Sequence, residues 1–312
     1  MSKKLYSLII PLYNEEDVAL ECVKRVTEVM EKIEGDYEVI FVNDGSKDKT
    51  MEIMIEQSKL NHKLKIIDFS RNFGHQIAIT AGMDYAKGDA VIVMDSDLQD
   101  PPELIVEMIE KFNEGYDVVY AVRAKRKGES LFKKVTAKAF YRFLRYMCNI
   151  DIPVDTGDFR LISRKVCDVM KNLTERNRYV RGLVAWVGFK QIGIEYEREE
   201  RFAGVTKYPL KKMLKLSMDG ITSFSTKPLT VSKNLGIVLA LAGFIYAIVV
   251  IIQKFALHMP NTGWASIVVL ILIIGGVQLI MLGIVGEYIA RIFDESKNRP
   301  LYIINHKYNM DE

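Results

Sequence analysis

A mostly parallel α/β domain joined to a membrane hairpin is the fold class this sequence predicts, and three observations predict it. Five short, β-rich apolar runs, at 6–10, 38–42, 65–69, 90–94 and 118–122, are separated by charged stretches with helical spacing. Polar, turn-forming and acidic segments follow these runs: PLYNEE at 11–16, NDGSKDKT at 43–50, SRNFGHQ at 70–76 and DSDLQDPP at 95–102. Two long apolar stretches then lie near the C-terminus, at 235–257 and 265–286.

The run at 6–10 follows a basic pair and gives way to charge within a few residues, with no small-residue cleavage site, so it reads as a first strand and not as a secretory leader. The next four runs are equally short and apolar on both faces, which is the pattern of strands covered by helices on either side of a parallel sheet. Such sheets bind ligands beyond the carboxyl ends of their strands, where the polar segments fall here. Residues 131–147 place Phe132, Val135, Ala139, Phe143 and Met147 at three- and four-residue spacing beside Lys133, Lys134, Lys138, Arg142 and Arg145, an amphipathic helix suited to an anionic lipid surface. Residues 209–224 repeat the pattern more weakly, with Lys211, Lys212 and Lys215 alongside the apolar positions. The first long stretch is broken only by Gln253 and Lys254 near its end, and at ~1.5 Å per residue it is ~34 Å long, enough for a bilayer core. The second has no charge. Residues 258–264 between them hold no Lys or Arg, whereas Lys227 and Lys233 precede the pair and Arg291, Lys297 and Arg299 follow it, so both flanks are expected on the cytoplasmic side.

Composition narrows the chemistry. The 312 residues carry 43 Lys+Arg against 40 Asp+Glu, a net charge of +3 that supplies no field for nucleic acid. Cys22, Cys148 and Cys167 are scattered and form neither a disulfide framework nor a zinc pattern. No G-x-G-x-x-G follows the first strand, and no Walker loop, H-E-x-x-H or G-x-S-x-G is present, which removes dinucleotide, P-loop, zinc-protease and serine-hydrolase readings. What remains is Asp95 and Asp97 after the run at 90–94. A D-x-D at a strand end lets two carboxylates converge on a hard divalent cation whose shell is completed by substrate phosphates.

Taken together, PLYNEE, VNDGSKDKT, RNFGHQIAITAGMDYAKGD and MDSDLQDPPE resemble the A-type glycosyltransferases of family 2. With TGDFRLISR at 156–164, RFAGVTKYPLKKM at 201–213 and two spans to follow, the resemblance narrows to the polyprenyl-phosphate glycosyltransferases: the bacterial undecaprenyl-phosphate (bactoprenol) glucosyltransferases and, less closely, the dolichol-phosphate mannosyltransferases. The resemblance implies a Rossmann-like A-type domain over 1–208, a juxtamembrane amphipathic segment over 209–230, a transmembrane hairpin over 231–290 and a cytoplasmic tail over 291–312. It implies that Pro11, Tyr13 and Glu15 line the nucleotide pocket, that Asp44 recognises the base or its ribose, and that Asp95 and Asp97 hold Mg2+ or Mn2+ on the diphosphate with Gln99 near the same site. Arg123, Arg201 and Lys207 become candidate partners of the diphosphate or the lipid phosphate, and Asp158 matches the position assigned to the catalytic base. A phosphomonoester is mostly a dianion at pH 7, so Asp158 either takes the remaining proton or positions the acceptor.

The expected function is therefore a metal-dependent, inverting transfer of a sugar, glucose first, from a UDP-sugar to undecaprenyl phosphate at the inner face of the plasma membrane. The alternatives are a GDP-mannose-using synthase of the dolichol type and a catalytically silent membrane scaffold that binds a sugar nucleotide. A processive synthase is disfavoured because no Q-x-x-R-W motif is present. Relatives of this kind include homo-oligomers, tetramers among them, and the segment PLYII at 300–304 is a candidate edge strand for pairing with a neighbouring copy.

Overall fold

A computed structural model of the protein describes residues 3–124, 156–197, 222, 225–255 and 263–310. The expected interfacial helix at 131–147, nearly all of the juxtamembrane segment, Arg201 and Lys207 lie outside the described residues. The strands are β1 (Leu5–Leu12), β2 (Asp36–Asn43), β3 (Leu64–Phe69), β4 (Ala90–Val93), β5 (Val118–Arg123), β6 (Thr156–Ser163), β7 (Gln191–Tyr196) and β8 (Ile304–Tyr308). They form one sheet in the order β7-β5-β6-β4-β1-β2-β3-β8. The centre, β4-β1-β2-β3, is parallel, β6 is antiparallel to both β4 and β5, and β8 is antiparallel to β3.

The first five strands fall where the apolar runs place them. Alternation explains their burial: Leu8, Ile10, Val39 and Phe41 face one core, Ile9, Ile40 and Val42 the other. The first core is closed by α1 (Ala19–Met30), α2 (Thr50–Leu60) and α4 (Leu104–Asn113). The second is closed by α3 (His75–Tyr85), α5 (Arg164–Asn172) and α6 (Val180–Trp186). In α1 the buried set Ala19, Cys22, Val23, Val26 and Met30 recurs every three or four residues while Leu20 is left exposed, the stripe expected of a helix lying on a sheet. A polar tie crosses the amino ends of the central strands. Glu38, 4% exposed, accepts hydrogen bonds from Ser7 Oγ of β1, from Lys65 Nζ of β3 (2.6 Å) and from the backbone of Lys87 (2.7 Å).

Three strands have no counterpart in the apolar pattern. In β6, Asp158 and Arg160 stand between Gly157, Phe159 and Leu161, so charge interrupts what is nonetheless a buried strand. In β7 only Ile194 and Tyr196 are buried, and its outer position at the sheet edge tolerates the polar remainder. The tail leads into a strand on this sheet: β8 begins at Ile304, Tyr302 stacks on Phe69 with centroids 5.2 Å apart, and Ser70 donates its N–H to the Ile303 carbonyl.

Two long helices, α7 (Lys227–Phe255) and α8 (Trp264–Ser296), follow the domain. Both are long and apolar enough to cross a membrane, over Lys227–Val250 and Val269–Ser296, and no part of either window is buried against protein. A core helix of a water-soluble domain hides its apolar surface; these expose Ile237, Phe244, Ile271 and Leu279 among others. Each helix continues past the apolar run toward the domain. The end of α8 meets it there, where Glu295 accepts the Arg176 backbone N–H at 2.7 Å.

Candidate active site

The carboxyl ends of β1 and β2 are zipped together by side chains of their own motifs. Asn14, left-handed at φ 53°, donates its N–H to Ser46 Oγ and accepts the Lys47 N–H on its side chain. The Glu15 N–H goes to Thr50 Oγ1, and Glu16 and Asp48 exchange bonds with the backbone of Lys49 and Glu16. Gly45 has φ +66°, and a Cβ there would lie 2.5 Å from the Arg71 carbonyl carbon, so only glycine lets the loop after β3 come this close. Pro11 is buried within β1 opposite Val42, and Tyr13 stands exposed at the mouth.

Asp44 organises the next layer. Its carboxylate accepts the Phe73 N–H (2.6 Å) and the Gly74 N–H (2.9 Å), and its carbonyl accepts Asn72 Nδ2. Burial raises its pKa above the ordinary range, against the pull of those two N–H groups. The loop so fixed delivers His75 to the start of α3.

His75, Asp95 and Asp158 then converge. One ligand atom from each lies within 4.8 Å of the other two. His75 Nε2 is 3.1 Å from Asp158 Oδ2 and 3.4 Å from Asp95 Oδ1. Burial disfavours the imidazolium, yet the hydrogen bond to Asp158 and the charge of Asp95 outweigh it and push His75 up to about 9. Asp95 is pushed up to about 6 by burial, with His75 opposing. Asp158, 2% exposed, is held by Arg181 in a fork, Nε to Oδ1 at 2.8 Å and Nη2 to Oδ2 at 3.0 Å, and also accepts Gln76 Nε2 at 3.2 Å. Burial would raise its pKa, but Arg181 and His75 keep it well below the carboxylate range.

Two further arginines lie about Gly157. Arg123 at the end of β5 reaches over it, where a Cβ would sit 2.9 Å from its Nη2, so the glycine leaves room for the guanidinium. Arg123 Nε bonds the Tyr196 hydroxyl at 3.3 Å, and that hydroxyl donates to the buried Asp100. Arg160, buried beneath, donates to the Gly157 carbonyl, and burial lowers its pKa to about 10.

A divalent cation fits the residues present. Asp95 Oδ1 is buried and makes no hydrogen bond, with His75 Nε2 3.4 Å away, and a carboxylate oxygen left so suits a hard divalent ion. Asp97 is not one of the three convergent groups; its Oδ1 accepts the Gln99 N–H at 3.2 Å, across a left-handed Leu98 at φ 54°. Of the residues expected from sequence, Asp95 and Asp158 therefore converge, with Asp97 and Gln99 two and four residues on from Asp95, while Arg123 sits with Tyr196, Asp100 and Gly157. His75 and Gln76 were visible in SRNFGHQ but carried no predicted role, and Arg181 sits in a segment with no motif; the fork on Asp158 is their only signal.

Comparison with known proteins adds sequence relatives to this geometry. Residues 7–170 match the family described as Glycosyl transferase family 2, and residues 227–292 match the GtrB C-terminal hairpin. An uncharacterized glycosyltransferase of Bacillus subtilis (strain 168) is 60% identical over 306 residues, 98% of this chain and 95% of that protein. A bactoprenol glucosyl transferase of Shigella phage SfV is 42% identical over 301 residues, 96% of this chain and 98% of that protein. A prophage bactoprenol glucosyl transferase homolog of Escherichia coli (strain K12) is 42% identical over 298 residues, 96% and 97% of the two chains.

Proposed function

This chain belongs to glycosyl transferase family 2, and from that premise we propose that it moves one sugar, glucose first, from a UDP-sugar to undecaprenyl phosphate at the inner face of the plasma membrane. The observation that carries the reading is the meeting of Asp95, His75 and the Arg181-clamped Asp158 at the carboxyl ends of the strands. Relatives named for bactoprenol and glucose at 42% identity over nearly the whole chain support the acceptor and the sugar, and the exposed apolar hairpin supports a lipid substrate met at the bilayer.

In this reading an oxygen of the lipid phosphate attacks the anomeric carbon from the face opposite UDP. The bond from that carbon to the β-phosphate oxygen breaks, its electron pair leaving with UDP, and the configuration inverts. Asp95 with Asp97 would hold Mg2+ or Mn2+, and a bound cation stabilises the charge gathering on the departing diphosphate. Arg123 adds fixed positive charge on the same side, and Arg201 and Lys207 are proposed to hold phosphate as well. Asp44 serves the nucleoside by fixing the 72–74 backbone, while Tyr13, Glu15 and Pro11 belong to the same end of the site. Asp158 is proposed as a positioning residue. Its oxygens are taken by Arg181, His75 and Gln76, and a largely dianionic acceptor needs little help to lose a proton.

Purified full-length protein, labelled UDP-glucose, Mg2+ or Mn2+ and undecaprenyl phosphate test this directly. One labelled sugar per extracted lipid is the expected product. Nucleotide binding without lipid-linked label would favour the silent scaffold, and a preference for GDP-mannose would move the chain to the mannosyl type.

A further inference from the structure

Beside the acidic cleft, beyond β1, β2 and β3, lies a cavity of about 610 Å3 whose lining includes Tyr13, Asn43, Ser46, Asp68, Arg71 and Asn305. Its volume lies within the range of small-ligand pockets. At one side three side chains from three strands stand in a row. Asp68, next to last in β3, is 8% exposed; Asn43 Nδ2 of β2 donates to its Oδ1 at 2.7 Å, and Asn305 Nδ2 of β8 donates to its Oδ2 at 3.1 Å. The Ser46 N–H bonds Asn43 Oδ1 at 3.3 Å, which turns the Asn43 amino group toward Asp68. Each amide nitrogen carries two N–H groups and commits one to the carboxylate, while the carboxylate keeps lone pairs beyond those two bonds. The row therefore offers donor, acceptor, donor.

We infer that this row reads the nucleobase of the donor and selects uracil, with the C-terminal strand supplying its outer member, Asn305. The inference rests on the sugar-nucleotide reading above and adds to it the base that is chosen and the residues that choose. The imide edge of uracil presents O2, N3–H and O4, which is acceptor, donor, acceptor, the complement of the row. Guanine presents O6, N1–H and the 2-amino group, so one amide N–H would face another N–H. Cytosine presents a ring nitrogen lone pair to the carboxylate. A site with polar groups left facing wrong partners rejects such ligands strongly, because those groups stay desolvated and unpaired. Asn305 also makes the tail part of the donor site: the segment that follows the membrane hairpin returns to place this one amide.

The test is titration of full-length protein in lipid nanodiscs with UDP, GDP, CDP and 3-methyl-UDP, each with Mg2+. UDP is expected to bind at least about tenfold tighter than GDP or CDP, and 3-methyl-UDP, which lacks the N3 hydrogen and carries a methyl in its place, to lose about a hundredfold. Asn305→Ala should weaken UDP by about tenfold and narrow its lead over GDP. His306→Ala, on the same strand and outside the cavity lining, should leave UDP binding unchanged. Equal binding of UDP and 3-methyl-UDP, or an Asn305→Ala variant that weakens all nucleotides alike or none, would overturn the row while leaving the donor class intact. Wild-type protein that binds no nucleotide would remove both readings.

Discussion

At Asp95 a buried carboxylate oxygen makes no hydrogen bond, while its neighbours His75 and Asp158 are satisfied by each other and by Arg181. That imbalance assigns different expectations to residues that sit side by side. Asp95→Ala should lower turnover by about a hundredfold or more and erase its dependence on added Mg2+ or Mn2+. A variant still stimulated by metal would detach the ion from this residue. Arg181→Met should leave Asp158 charged and buried, costing about 3 kcal/mol of folding stability, visible as a lower melting temperature. Asp158→Asn, which keeps the shape, should reduce kcat without shifting the pH profile of the reaction; loss of a pH limb would restore the base. Both aspartates were legible in the sequence because motifs surround them. Arg181 was not, since its partner lies 23 positions away and nothing local marks the pairing.

Among the elements, the tie at Glu38 joins β1, β2 and β3 and the start of β4's approach. Burial raises its pKa, but Lys65, Ser7 and the Lys87 N–H together hold it below the ordinary glutamate value of 4.5. A depressed folded-state pKa means that its contribution is present above the unfolded value and disappears as pH falls through the folded one. Glu38→Gln should lower the melting temperature at pH 7 and flatten the loss of stability on acidification below about pH 4.5; parallel melting curves for variant and wild type would remove this role. The apolar runs announced β1 to β5, whose side chains are buried on both faces. They could not announce β6, where Asp158 and Arg160 are buried by charge pairing and backbone bonds and not by apolarity. They could not announce β8, whose five residues INHKY are mostly polar and whose pairing depends on an edge contributed more than 230 positions earlier, as between Ile66 and Tyr308.

For the whole molecule, the exposed apolar surface of α7 and α8 and the basic residues at their domain-side ends set the expected placement: catalytic domain and tail on the cytoplasmic side, hairpin in the bilayer. Protease added to inside-out vesicles should digest the domain, and protease added to right-side-out vesicles should leave it whole; the opposite pattern would reverse the orientation. The tail bears on the same scale. Because β8 comes after the hairpin and docks on β3, the sheet is discontinuous in sequence. The membrane segment is thus an insertion between two strands, and the last of them leaves the ribosome only after both helices. Completion of the sheet therefore waits on synthesis of the hairpin, and a fragment cut before residue 227 for convenience of solubility would carry a naked sheet margin in place of a finished one.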